Sequence, residues 1–161
     1  MAEHALLWFL PFTLPIAIWV AWSDMKFMKI PNKAVLALLL VYLLVGLFVF
    51  PLKLYGWGWA LAAILLLIGF ITTTAGLTGA GDAKFAAAMA PFFATADMRL
   101  VLALFAACLL GAFASHRVLK FVPPYRAASA DWESWTHKDF PMGLALAGTL
   151  LFYPLLAVSL G

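Results

Sequence analysis

The sequence predicts an all-α, polytopic membrane bundle of about six transmembrane helices with both termini outside. Three observations carry that prediction. Hydrophobic residues fill 66% of the 161 positions and charged residues 11%, with a mean hydropathy of +1.05, far from the balance of a water-soluble domain. The apolar residues fall into separate runs, most of them near the roughly 20 residues of helix that cross a hydrocarbon layer about 30 Å thick. The basic residues are also distributed unevenly between the connections.

Charged residues and Gly/Pro breaks divide the runs into spans at residues 5–22, 34–50, 58–75, 83–95, 100–115 and 143–160. The first run is followed, not preceded, by its basic residues, so it reads as a retained span and not a cleaved signal peptide. The second and third are uninterrupted apolar stretches. The fourth is short for a crossing and contains Pro91, so either it continues past the proline or one end starts below the membrane surface. In the second case the start of that helix, and with it Asp82, lies in a water-filled recess. The fifth run holds Cys108, the single cysteine, which reads as a small apolar residue of the span. The connection over 117–139 is the longest, with room for an interfacial helix that lays Trp132 and Trp135 on the bilayer. The last span closes a chain expected to form one domain over residues 1–161.

Eight basic residues, Lys26, Lys29, Lys33, Lys84, Arg117, Lys120, Arg126 and Lys138, fall in the first, third and fifth connections, and only Lys53 and Arg99 in the second and fourth. The positive-inside rule places the basic connections in the cytoplasm. The net charge of +3 is thereby explained by topology. No basic run of the kind that tracks phosphates is present, so nucleic acid is not an expected partner.

Asp24 and Asp82 stand where the first and fourth spans meet cytoplasmic connections, an assignment made from Lys and Arg alone. A lone Asp at a helix end is commonly an interfacial charge or a cap. Two facing carboxylates can instead share a proton, one as general acid and the other as base on a water, which suffices to hydrolyse a peptide bond without a metal. The run Gly79-Ala80-Gly81-Asp82 favours the second reading, because glycines permit positive φ and close approach of a neighbouring chain before an Asp that opens a helix. It lacks the Walker pattern of a phosphate loop. Asp24 leads into Ile30-Pro31-Asn32, and Phe140-Pro141-Met142-Gly143 enters the last span.

Together these motifs resemble those of the type IV prepilin peptidases and the related archaeal preflagellin peptidases, GxGD-type aspartyl membrane proteases, in the same order along nearly the whole chain. The resemblance implies that Asp24 and Asp82 are the catalytic pair, supported by Gly79, Gly81 and Lys84. It also implies an active site at the cytoplasmic face of the inner membrane that cuts a short basic leader from pilin-like or preflagellin-like precursors. The longer members carry a cysteine-paired cytoplasmic insertion linked to N-methylation. This chain lacks it and is similar to the short, peptidase-only forms that serve tight-adherence pili or archaeal flagellins.

Asp24 follows a helix C-terminus and Asp82 sits at an N-terminus, so helix-end charges place the resting proton on Asp24 and make Asp82 the base. Lys84 either orients Asp82 or marks the membrane boundary. Pro141 and Gly143 read as structural residues that start a helix and allow close packing. Thr72, Thr73, Thr74 and Gly76 are candidates for contact with the precursor's apolar helix, and Asp131 with Glu133 for contact with its leader, although a solvated loop is the simpler reading of the two acids. His4, His116 and His137 lack metal-ligand spacing, so no metal or other cofactor is expected. Ser23 beside Asp24 has no oxyanion hole to make it a nucleophile. The alternative function is a small proton- or cation-coupled transporter or assembly subunit using the same two aspartates.

Overall fold

The computed structural model describes residues 6–160, which are mostly helical with no strand among them. Seven α-helices follow one another: α1 (Leu10–Phe27), α2 (Asn32–Val49), α3 (Leu52–Thr74), α4 (Ala80–Met89), α5 (Met98–Leu119), α6 (Pro123–Ala128) and α7 (Gly143–Leu160). With the 3-10 turn Leu7–Phe9 leading into α1, five segments are long and apolar enough to cross a membrane: those of α1, α2, α3, α5 and α7. The all-α, multi-pass architecture read from composition is what the chain adopts.

The boundaries moved where charge was mistaken for a stop. The first helix runs beyond residue 22 and carries Asp24 within it; it ends at Met28, which takes a left-handed φ of 50° and returns its N–H to the Asp24 carbonyl at 2.9 Å. Pro31 then fixes the extended residue from which α2 starts. A charged side chain does not break a helix, whereas a left-handed residue followed by a proline does. Likewise α3 begins at Leu52, ahead of Lys53, Gly56 and Gly58. At α5 the Asp97 side chain accepts the Arg99 N–H at 2.9 Å and caps the start.

The fourth segment is the exception to the expected six spans. Its α-helix is ten residues long, and at Ala90–Phe93 it tightens into a 3-10 turn around Pro91, for a combined reach of about 23 Å. That falls short of the hydrocarbon thickness. Burial compensates: Phe85, Ala87, Ala88, Met89 and the whole Ala90–Phe93 turn are buried, with α2, α3 and α7 packed around them. By contrast α5 is peripheral and shows Leu102, Leu110 and Phe113 to its surroundings, as lipid-facing positions do.

One end of the bundle is aromatic. Phe9, Tyr42, Phe50 and Phe92 meet there, with ring centroids 5.0 Å apart for Phe9–Phe92 and 5.4 Å for Tyr42–Phe92, and Tyr42 donates to the Tyr55 carbonyl at 3.1 Å. The carboxylates lie at the other end. Between the two, helices approach through small residues: a Cβ on Gly69 of α3 would lie 2.9 Å from that of Ala83 in α4. Lipid solvates apolar helices as well as another helix does, so such close packing carries the association.

At the carboxylate end α3 closes with a Schellman turn. Gly76 takes φ of 73°, its N–H reaches the Thr73 carbonyl at 3.0 Å, and the Leu77 N–H reaches the Thr72 carbonyl at 2.9 Å. The threonine hydroxyls of this end also bond within the chain: Thr72 to Thr78 at 2.9 Å and to the Gly69 carbonyl at 3.1 Å, and Thr74 to the Ile71 carbonyl at 2.8 Å. Gly76→Ala is expected to cost about 1 kcal/mol, since an L-residue is disfavoured at that φ. Unfolding in detergent by a denaturant series measures it.

The long connection folds against the bundle. Trp135 is buried, stacks on His116 with centroids 4.7 Å apart and donates its indole N–H to the Ser129 carbonyl at 2.8 Å. The expectation that it lies on the bilayer is therefore corrected: Trp135 anchors the connection to α5, and the segment holds the six-residue α6 and a 3-10 turn at Glu133–Trp135.

Candidate active site

Asp24 occupies the last turn of α1 and is buried, at 5% exposure. Its Oδ2 accepts the Gly143 backbone N–H at 2.7 Å. Gly143 is the first residue of α7, where an amide has no acceptor within its own helix and is free to point outward. A helix N-terminus thus abuts Asp24, which also lies in the last turn of α1. Ends of opposite sign meet at this carboxylate, so helix-end charges no longer order the pair and the expectation that Asp24 holds the proton loses its basis.

Asp82 is the third residue of α4, after Gly79 at the N-cap. Of the two roles the motif suggested for the glycines, close approach is used and positive φ is not. Gly79 has an ordinary extended backbone, φ −69°, and Gly81 lies inside the helix. Neither needs positive φ. What they supply is room: a Cβ on Gly79 would lie 2.7 Å from Asp82 Oδ2, and one on Gly81 would lie 3.4 Å from the Ile30 Cβ. The second contact brings the start of α4 against the connection that follows Asp24.

The two aspartates, far apart in sequence, line the same two clefts. The larger, about 820 Å³, continues past Thr78 and His137 to Leu109, Leu110 and Phe113 on α5. The smaller, about 560 Å³, is walled by the 27–32 stretch and Lys84. The two carboxylates thus stand between a cleft that reaches the apolar side chains of α5 and one that reaches Lys29 and Lys84.

Lys84 reaches Asn32, with Nζ 3.5 Å from Oδ1, and no ion pair joins it to Asp82 among the described residues. It links the start of α4 to the start of α2. Ser23 is buried and donates to the Lys29 carbonyl at 2.9 Å, tying down the chain after Asp24; it has no role as nucleophile in this arrangement. His137 accepts the Asp139 N–H at 3.1 Å, His116 is part of the tryptophan stack, and His4 lies outside the described residues.

Asp131 pairs with Lys26 at 3.0 Å. The hydrogen bond from Lys26 holds its carboxyl below the usual carboxylate range. A lowered folded value means that the tie contributes above the ordinary value near 4 and is lost only as pH falls through the lower one, so it stays closed at neutral and mildly acid pH. With Asp131 engaged by Lys26 at an exposed position, Asp131→Ala combined with Glu133→Ala is expected to leave the unfolding midpoint in detergent almost unchanged, as for other surface ion pairs.

Two contributors escaped the sequence reading. The Gly143 amide was hidden because a backbone N–H has no sequence signal, although the Phe140-Pro141-Met142-Gly143 motif marked its place. His137 lines the larger cleft beside Asp24 and Asp82, and nothing in its spacing announced that.

Neither a search of curated proteins nor one of solved structures produced a match. A family model described as the Type IV leader peptidase family matches residues 11–116, most of the chain and both aspartates. With its five membrane-crossing segments, the chain is a multi-pass membrane peptidase that belongs to the type IV leader peptidase family.

Proposed function

We propose that the chain is an aspartic endopeptidase of the inner membrane that removes the short basic leader from type IV pilin-like or preflagellin-like precursors, with Asp24 and Asp82 as its catalytic pair. The observation that carries this reading is the shared cleft: two carboxylates on different helices line one cavity, inside a family of leader peptidases.

In the reaction one ionised carboxylate takes a proton from water as the water oxygen bonds to the scissile carbonyl carbon. The protonated partner hydrogen-bonds to the carbonyl oxygen, which gains negative charge. Collapse of the tetrahedral intermediate breaks the C–N bond, the leaving nitrogen takes a proton, and the carboxylates are restored to their starting states. Oδ2 of Asp24 accepts the Gly143 amide with one of its two lone pairs, which orients the carboxylate in the cleft.

The cytoplasmic face is supported by the company the aspartates keep. Lys29, Lys84 and Lys138 line the same clefts, and the basic-residue bias assigns all three to the cytoplasmic side. The precursor's apolar helix approaches from the lipid along Leu109, Leu110 and Phe113, which brings the end of its leader to the carboxylates. A transporter would need a polar path beyond them, yet the buried hydroxyls Thr13 and Thr149 turn back on their own helices, to the Leu10 and Ala145 carbonyls.

Co-expression with a tagged pilin-like precursor from the same genome tests the proposal through leader removal by the native chain and by Asp24→Asn and Asp82→Asn. Cleavage that survives either substitution in a normally inserted protein refutes the catalytic pair.

A further inference from the structure

We infer that Gly143 is a positioning residue for the peptidase reaction: its backbone amide fixes the orientation of the Asp24 carboxylate, and no other residue fits at that place. The inference rests on the reading of Asp24 as catalytic and goes beyond it, since a glycine entering a helix would otherwise be assigned to packing alone.

Two independent features of the geometry converge. The first is the donor. The Gly143 N–H meets Asp24 Oδ2 at 2.7 Å in a buried setting, the short distance typical of bonds in which the acceptor bears charge. It is supplied by backbone at the first turn of α7, where the preceding Pro141 is fully buried and the Met142 carbonyl already accepts the Leu146 N–H at 3.0 Å. The donor is therefore held by the fold and has no side-chain freedom of its own. The second is space. A Cβ on residue 143 would lie 2.8 Å from the Asp24 Cβ, 3.0 Å from its Cγ and 2.9 Å from Oδ2. A Cβ is fixed to its backbone, so relief requires α1 and α7 to separate or the carboxylate to turn away, and either breaks the hydrogen bond.

Gly148 shows what a glycine kept for packing looks like in the same helix. Its added Cβ would meet Cys108 Sγ on α5 at 3.3 Å, a tight contact with the end of one side chain and with no carboxylate among its nearest atoms. Asp24 is faced by Asp82 from α4 and His137 from the connection before α7, with Lys29, Lys84, Lys138 and Asp139 farther along the clefts. Among the hydrogen bonds described, the Gly143 amide is the one that anchors the Asp24 side chain.

The decisive experiment replaces the amide alone. Incorporating glycolic acid at position 143 converts the peptide to an ester, which deletes the N–H and adds no atom that could clash. The full chain, purified and returned to lipid vesicles, is assayed on a tagged pilin-like precursor across pH. The expected result is a kcat about tenfold to a hundredfold lower, the worth of a hydrogen bond to a charged group, with KM nearly unchanged and the pH–rate profile displaced from the native one. Gly143→Ala should lose at least as much, and Gly148→Ala should keep the native profile. An ester variant with native kcat and native profile overturns the inference. Asp24→Asn in the same vesicles separates that failure from a failure of the catalytic reading, because the latter leaves Asp24→Asn active.

Discussion

Asp82→Asn is expected to lower leader removal by about a thousandfold or more while leaving the protein inserted and folded. General acid and base groups typically contribute 10²–10⁴ each, and in a shared-proton pair the loss of either member disables both roles, so the single variants should each approach the double variant instead of adding to it. Asparagine keeps the shape at both positions. At residue 24 its amide oxygen can still accept the Gly143 N–H, so Asp24→Asn retains the contact between α1 and α7 and removes only the ionisable group. The measurement is the fraction of tagged precursor processed over time, normalised to enzyme extracted from the membrane. Equal losses in the single and double variants are the signature of one catalytic unit.

The largest expected effect on stability lies at the other end of the bundle. A Cβ on Gly58 would fall onto the Tyr42 hydroxyl and 2.7 Å from its Cζ, with the Pro91 Cα behind it at 3.3 Å. Tyr42 is wholly buried among Phe9, Phe50, Tyr55, Trp59 and Phe92, so it has no free direction in which to move. Gly58→Ala should cost about 1–3 kcal/mol, in the range of overpacked cores. Tyr42→Phe alone should cost about 1 kcal/mol for the lost bond to Tyr55. Combined, the two should cost less than their sum, because removing the hydroxyl relieves part of the clash; full relief is not expected, since Cζ remains. Denaturant unfolding in detergent gives all three numbers, and strict additivity would show that the two positions do not meet.

Much of this was legible in the sequence, for identifiable reasons. Membrane helices announce themselves because lipid requires apolar side chains over a fixed length, and the last helix was read to the residue since Gly143 and Leu160 bound an unbroken run. The first helix was read short because Ser23, Asp24 and Lys26 look like the end of a span, whereas the stop is conformational and sits at Met28. The fourth segment showed itself as short through Pro91, but its 3-10 ending depends on burial among α2, α3 and α7, which no local pattern encodes. At the site, Asp24, Asp82, Gly79 and Gly81 stood out by type and spacing. Which of their two possible purposes the glycines serve did not, because positive φ and absent Cβ leave the same letter in a sequence. Lys84 was placed beside Asp82 in the chain and turned out to reach Asn32, a partner that only the packing of α4 against α2 provides.

The hydrogen bond between α1 and α7 also sets a calendar for biosynthesis. The aspartate emerges from the ribosome with the first long helix, and the amide that holds it arrives with the last. Throughout translation of the intervening helices, Asp24 has no partner from α7, and the site is assembled only when the final segment inserts.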